Sequence, residues 1–153
     1  MKKLTVYCAR PMSGLSFNVV NDYYHNIQTE LTRIGYNVLH PMCGKAALKQ
    51  EGETLQPNGY VLPVSTNHAI FQRDRWMVRQ ADVIFANLIG ATAVSIGTMM
   101  ELAWGFEMGK HNVVALEKGN PHNHCFVAEA AHLTYPTYEE AIEYLKLLVQ
   151  QGF

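Results

Sequence analysis

Three short runs constrain the fold more than anything else in the chain. Leu4-Thr5-Val6-Tyr7-Cys8, Asp82-Val83-Ile84-Phe85-Ala86 and Asn112-Val113-Val114-Ala115-Leu116 are almost continuously apolar. Runs of that length without polar alternation are strands covered on both faces, as in a parallel sheet. Between them the apolar period becomes helical. Val19, Tyr23, Ile27, Leu31 and Ile34 recur at helical spacing over residues 18–35, with Gly35 as the C-cap. Residues 67–80 read as a second helix, and a third opens at Ser95-Ile96-Gly97-Thr98 and runs to Gly109-Lys110. Weaker strands at 36–39 and 133–135, the latter at an edge, and a short helix at 126–131 complete the alternation. Thr137-Tyr138-Glu139-Glu140 is a capping box opening a last helix to Val149. This order predicts an α/β, doubly wound, flavodoxin- or Rossmann-like parallel sheet of about five strands, with helices on both faces. Residues 41–66 carry Gly44, Gly52, Pro57, Gly59 and Pro63 and no sustained period. A loop of that length is expected to be a lid or a binding loop.

With 153 residues the chain fits a single domain spanning 1–153. Hydrophobic residues make up 48% and charged residues 16%, a balance that excludes intrinsic disorder. So little charge leaves much uncharged surface, which implies self-association. Twelve Lys and Arg against thirteen Asp and Glu give −1, so no basic field exists to hold a nucleic-acid polymer. A nucleotide would have to be held in a pocket. Cys8, Cys43 and Cys125 show no Cys-x-x-Cys spacing, which supports neither a disulfide framework nor a zinc knuckle. His122-x-His124-Cys125 resembles a metal cluster only superficially, lacking a further ligand set, so no metal is expected. The apolar run near the N-terminus is too short for a signal peptide, and no stretch approaches the length of a membrane helix. The expectation is a reduced, cytoplasmic protein without a membrane partner.

In an open α/β sheet, ligands bind beyond the carboxyl ends of the strands, where strand order reverses. The loops at 9–17, 41–66, 87–98 and 117–124 end there, and they collect Arg10, Ser13, Ser95, Thr98, Asn120, His122, Asn123 and His124. Ser95-Ile96-Gly97-Thr98, at a helix start, offers backbone N–H groups and a positive dipole end suited to an anion; taken alone it is equally an ordinary Ser cap. Glu101 is placed by the sequence in the first turn of that helix among apolar neighbours, at a mouth lined with Met, where a carboxylate can serve as a nucleophile. Asp74 in Gln72-Arg73-Asp74-Arg75 reads alone as an ion-paired helix residue, and Tyr7 as a core residue with a satisfied hydroxyl.

Taken in order, Thr5-Val6-Tyr7, Arg73-Asp74, Ala81-Asp82-Val83-Ile84 and Ser95-Ile96-Gly97-Thr98-Met99-Met100-Glu101-Leu102 resemble the nucleoside 2-deoxyribosyltransferase family. That family includes a branch of 2′-deoxynucleoside 5′-monophosphate N-glycosidases. The resemblance spans most of the chain and is strongest over residues 70–116. It implies cleavage of a C1′–N bond with Glu101 as nucleophile, through a glycosyl-carboxylate as in retaining glycosidases, and no cofactor. It implies that Tyr7 orients Glu101 and that Asp74 delivers a proton to the departing base. Arg10-Pro11-Met12-Ser13-Gly14 resembles the family's first loop, which bears on the substrate, although Ala9 and Arg10 stand where small residues are commoner. Nucleoside-specific transferases tend to carry an aspartate where this chain has Ser95, so Ser95, with Arg10 and Ser13, implies a 5′-monophosphate substrate. Asn123 and His124, beside His122, fall where family members send a polar residue into the neighbouring subunit's site. A homodimer or higher homo-oligomer with shared sites is thereby implied.

Three other functions compete. Base exchange between free deoxynucleosides shares the same intermediate. A non-catalytic nucleotide sensor on this fold would have no need of a buried nucleophile. A phosphoribohydrolase carrying Gly-Gly-x-Gly-Thr-x-x-Glu is matched only in part by Gly97-Thr98-x-x-Glu101, without the preceding glycines.

Overall fold

The computed structural model describes residues 2–151. Five parallel strands, β1 (Thr5–Ala9), β2 (Asn37–Leu39), β3 (Val83–Asn87), β4 (His111–Ala115) and β5 (Leu133–Tyr135), form one sheet in the order β2-β1-β3-β4-β5. The chain first winds from β1 out to β2 and then crosses back to β3, so the order reverses between β1 and β3. In register, Tyr7 faces Leu39 on one side and Ile84 on the other. The fold is the expected doubly wound α/β sheet. β1 and β3 extend one residue beyond their expected ends, and β4 begins and ends one residue early.

Side-chain alternation divides the core between the two faces. Val6, Cys8, Val83, Phe85, Val113 and Ala115 pack under α1 (Phe17–Ile34) and α5 (Tyr138–Gln151). Tyr7, Ala9 and Ile84 meet α2 (Asn67–Gln80) and α3 (Ile96–Glu107), while Ala86 and Val114 meet α3 and α4 (Cys125–Ala130). The central strands β1, β3 and β4 are thus largely apolar on both faces because both faces are covered. Helix ends follow the sequence signals. Ser16 and Thr66 cap α1 and α2, and Gly35 closes α1 at φ +127°. Thr137 Oγ1 accepts from the Glu140 N–H at 3.2 Å, the N-cap half of the expected capping box, while the Glu140 carboxylate accepts from the Thr137 hydroxyl at 3.1 Å in place of its backbone N–H.

The long loop differs from its aperiodic reading. It holds two 3₁₀ turns, Ala46–Glu51 and Pro63–Ser65, and Met42, Leu48 and Leu55 are buried in the α1 side of the core. Their spacing follows no helical or strand period because each is anchored separately. Glu51 ties the loop to itself through Ser65 Oγ and the Val61 and Leu62 N–H groups.

One close approach fixes α3 on the sheet. A Cβ added at Gly105 would lie 2.5 Å from Asn112 Oδ1 and 2.6 Å from Ile84 Cγ1. Asn112 Nδ2 reaches up from β4 to the carbonyls of Leu102 and Ala130 at 3.0 and 2.9 Å, which joins β4, α3 and α4. Helix propensity alone would favour alanine at this position by about 1 kcal/mol. Packing opposes it, because overfilling a tight core costs about 1–3 kcal/mol. Gly105→Ala is therefore expected to lower stability in urea unfolding; equal or higher stability would mean that α3 is free to lift.

Candidate active site

The buried stripe of α3 is Thr98, Glu101, Leu102 and Gly105, a helical spacing hidden in the sequence by a hydroxyl, a carboxyl and a glycine. Because Ser95 is the N-cap, Glu101 falls in the second turn and not the first. It lies on the sheet side and not at a Met-lined mouth: Glu101 is 6% exposed, while Met100 faces outward. Beneath it Tyr7 rises from β1, and its hydroxyl meets Glu101 Oε1 at 2.6 Å. Burial and the nearby Asp74 charge push the Glu101 carboxyl up to about 8, against the lowering effects of the Tyr7 hydrogen bond and the Lys45 ammonium. Burial first, then the charge of Glu101, holds Tyr7 well above the usual phenol value.

Beside this pair Asp74, on α2, binds the Lys45 ammonium through both carboxylate oxygens, at 3.0 and 2.9 Å. The Lys45 side chain is 2% exposed. It arrives from the long loop, where Met42 accepts its backbone N–H and Gly44 lies against the Arg73 side chain. Burial raises the Asp74 carboxyl and outweighs the lowering effect of Lys45. His40 lies on the same side, stacked at 4.7 Å on Tyr24; burial and then the Lys45 charge push it down to about 4, so it is neutral at neutral pH. Tyr24 Oη and His40 Nδ1 are buried without a protein partner among the described residues.

The rim is built from loops that follow β1, β3 and β4. Ser95 Oγ accepts from the Thr98 N–H at 3.3 Å and contacts Thr98 Oγ1 at 2.9 Å, which leaves the free N–H groups of Ile96 and Gly97 at the exposed helix start. His122 Nε2 accepts from the Ser95 N–H at 2.8 Å, so the proton is on Nδ1, facing Asn120 Oδ1 at 2.9 Å. Asn120 in turn donates to the Leu88 carbonyl at 2.7 Å. This chain of bonds fixes the start of α3 and occupies both nitrogens of His122. Across the sheet's reversal, Arg10 stacks over Tyr23 with its guanidinium carbon 4.2 Å from the ring centroid, and Ser13 and Gly14 are exposed. Gly14 and Leu15 are bonded through their backbones to Leu55, so the first loop and the long loop are joined.

Thus the structure brings Tyr7 and Glu101 into contact, sets Asp74 beside them, and places Arg10, Ser13, Gly14, Ser95, Gly97 and Thr98 in loops and a helix start at the same end of the sheet. It does not bring Asn123 or His124 to Glu101 within the chain. Both are exposed, and His124 caps α4 through the Phe126 N–H. His124 also lines an apolar cavity of about 320 Å³ with Val94, Met99, Phe126 and Val127, between α3 and α4 and away from the Tyr7–Glu101 pair. Sequence reasoning missed Lys45, Tyr24 and His40. The signal for Lys45 was topological: the loop after β2 opens at the ligand end of the sheet, and Lys45 is a basic residue within it.

Fold and site together define a doubly wound α/β protein whose buried carboxyl sits at the switch point of a sheet ordered β2-β1-β3-β4-β5. Residues 6–135 match the family model for nucleoside 2-deoxyribosyltransferase, and the chain belongs to that family. It is an enzyme family acting on small nucleosides. Among solved structures the fold is similar to Clostridium botulinum CMP N-glycosidase, BcmB, at 17% identity and a TM-score of 0.56, over 94% of this chain and 98% of that one. It is also similar to a conserved protein from Enterococcus faecalis V583, at 12% identity and a TM-score of 0.65, over 95% and 99%. No curated protein matches by sequence. Among the described residues, no helix is long and apolar enough to cross a membrane.

The raised Glu101 carboxyl carries a consequence for stability. The native state holds this proton more tightly than the unfolded chain does, so its contribution is fully present below about 4.5 and is lost as pH rises through about 8. Glu101→Gln removes the titration. Its melting temperature is expected to exceed that of wild type at pH 9, with the gap narrowing toward pH 5. A gap independent of pH would show that Glu101 does not titrate in this range.

Proposed function

We propose that the protein cleaves the N-glycosidic bond of a 2′-deoxynucleoside 5′-monophosphate, or of the deoxynucleoside, through a covalent deoxyribosyl-Glu101 intermediate, releasing or exchanging the base. The observation that carries this is the buried Tyr7–Glu101 pair at the sheet's switch point. A carboxyl held in an apolar wall without a cation of its own is costly, and such groups concentrate where chemistry needs them. Glu101 attacks C1′ as the carboxylate, Tyr7 fixes the oxygen that attacks, and Asp74 with Lys45 faces the departing base. A glycosyl ester divides one difficult substitution into two easier ones.

The test is direct. Glu101→Ala and Glu101→Gln should lower turnover by at least about two to three orders of magnitude while the fold persists. A 2′-fluoro substrate analogue should add a sugar mass to Glu101. Because the free carboxyl titrates near 8, kcat/KM should climb as pH approaches that value. Wild-type-like turnover in Glu101→Ala would remove the assignment.

The choice of a phosphorylated substrate rests on the α3 N-terminus. Ile96 and Gly97 offer N–H groups there, the dipole favours an anion, and Arg10 stands on the other side of the reversal. A similar fold in a CMP N-glycosidase goes along with this choice. Asn123 and His124 would complete a second copy's site if two chains meet over α3 and α4, where Phe126 is 78% exposed beside the apolar cavity. Ser95→Asp is a clean probe, because Asp caps a helix as well as Ser while placing a charge against the phosphate. Wild type is expected to favour the 5′-monophosphate by kcat/KM, and Ser95→Asp to shift that preference by at least about tenfold toward the nucleoside. A wild-type preference for the free nucleoside would favour the base-exchange reading.

A further inference from the structure

The Lys45–Asp74 pair points to a role for Lys45 that rests on the function proposed above and refines it. An ammonium has three N–H donors and no acceptor. Two of those donors go to Asp74 Oδ1 and Oδ2, and no third protein acceptor is present among the described residues. With Lys45 almost wholly buried, its third donor is free to meet an acceptor on a ligand. Asp74 is constrained in the opposite sense. Both its oxygens accept from the ammonium, so a proton on either would set donor against donor. In this arrangement Asp74 is the carboxylate, and the mobile proton is on Lys45.

The direction of the substrate follows from the fold. The anion-accepting end of α3 lies toward β4, whereas α2 and the loop after β2 lie on the other side of Glu101. A substrate with its phosphate at Ser95 and its C1′ at Glu101 carries its base toward Lys45. His40 on that side is neutral, and Lys45 acts on the charge of Glu101 as well as that of Asp74, which marks it as close to the reacting centre.

We propose that Lys45 is the general acid of base departure and that Asp74 is the residue that positions it. As a Glu101 oxygen bonds to C1′, the electron pair of the C1′–N bond passes to the base. One Lys45 proton goes to that base, which leaves neutral, while Lys45 remains an amine hydrogen-bonded to the Asp74 carboxylate. In the second step water, or the N–H of an incoming base, bonds C1′, returns a proton to Lys45 and frees the Glu101 carboxylate. The ligand class that this selects is a heterocycle presenting a basic nitrogen or carbonyl oxygen toward the loop.

The experiment compares a base that needs a proton to leave with one that does not. For purines the pair is a deoxynucleotide and its N7-methyl derivative; for pyrimidines it is the uracil and 5-fluorouracil deoxynucleotides. Lys45→Arg keeps the cation and the ion pair, but a guanidinium does not give up its proton. It is expected to lose at least about a hundredfold in kcat on the ordinary base and less than about fivefold on the activated one. Asp74→Asn keeps the ammonium but frees it from its position, so it is expected to slow the ordinary base more than the activated one, by a smaller ratio than Lys45→Arg does. Equal losses on both substrates in Lys45→Arg would make Lys45 structural and overturn the proposal. So would a dependence on the leaving base steeper in Asp74→Asn than in Lys45→Arg; where Lys45→Arg fails to fold, Lys45→Gln supplies the same comparison. Release of no base by wild type from any deoxynucleoside or deoxynucleotide would instead overturn the underlying function.

Discussion

Burying the Glu101 carboxyl against Tyr7 is the constraint on which the rest of the site depends. A carboxyl removed from water holds its proton tightly unless a charge or a donor compensates, and here the direct partner is one phenol at 2.6 Å. That contact needs α3 to lie close on the sheet, which in turn needs a residue without a side chain at Gly105, one turn beyond Glu101 on the same face. Asn112, buried in β4, reinforces the approach by bonding the Leu102 carbonyl next to Glu101. A strand, a glycine and a buried amide thus cooperate to hold one acidic group where burial raises its pKa.

The second carboxylate makes the first harder to ionise. Asp74 raises Glu101 through its charge, and Lys45 lowers it. Two acids and one ammonium in a shared buried space form a set in which any change of proton on one member alters the others. Removing either member of the ion pair leaves an uncompensated buried charge, a loss of about 3–5 kcal/mol in typical cases, so the pair is a structural liability unless it also serves the ligand. Placing the cation of that pair on a loop, and its anion on α2, makes the site's charge depend on where the loop lies.

The sheet and most of its helices were legible from their apolar periods and caps, and α2 and β5 were bounded to the residue. Tyr7, Asp74 and Glu101 were legible as a set because their order along the chain matches a family pattern, although alone each had an ordinary structural reading. The setting of Glu101 was less legible. Thr98, Glu101 and Gly105 make the inward face of α3 look polar, so hydrophobic periodicity does not find it. Lys45 was not legible at all as a partner of Asp74. The two are 29 residues apart, and the intervening loop carries no period by which to infer that they meet. What a sequence displays locally is period and capping; an ion pair between a loop and a helix is a product of the finished packing.

The loop itself ties the two ends of the site together. Its Lys45 end reaches Asp74, while its Leu55 end pairs through the backbone with Gly14 and Leu15 of the first loop, and Phe17 at the start of α1 donates to the Glu53 carbonyl. Glu51, binding Ser65 and two backbone N–H groups, keeps the segment between those ends compact. Glu101 and Lys45 are both nearly excluded from solvent, and Lys45 is itself part of this segment. Because one segment carries the cation and also braces the first loop, the Asp74 side and the Arg10 side of the site share one support.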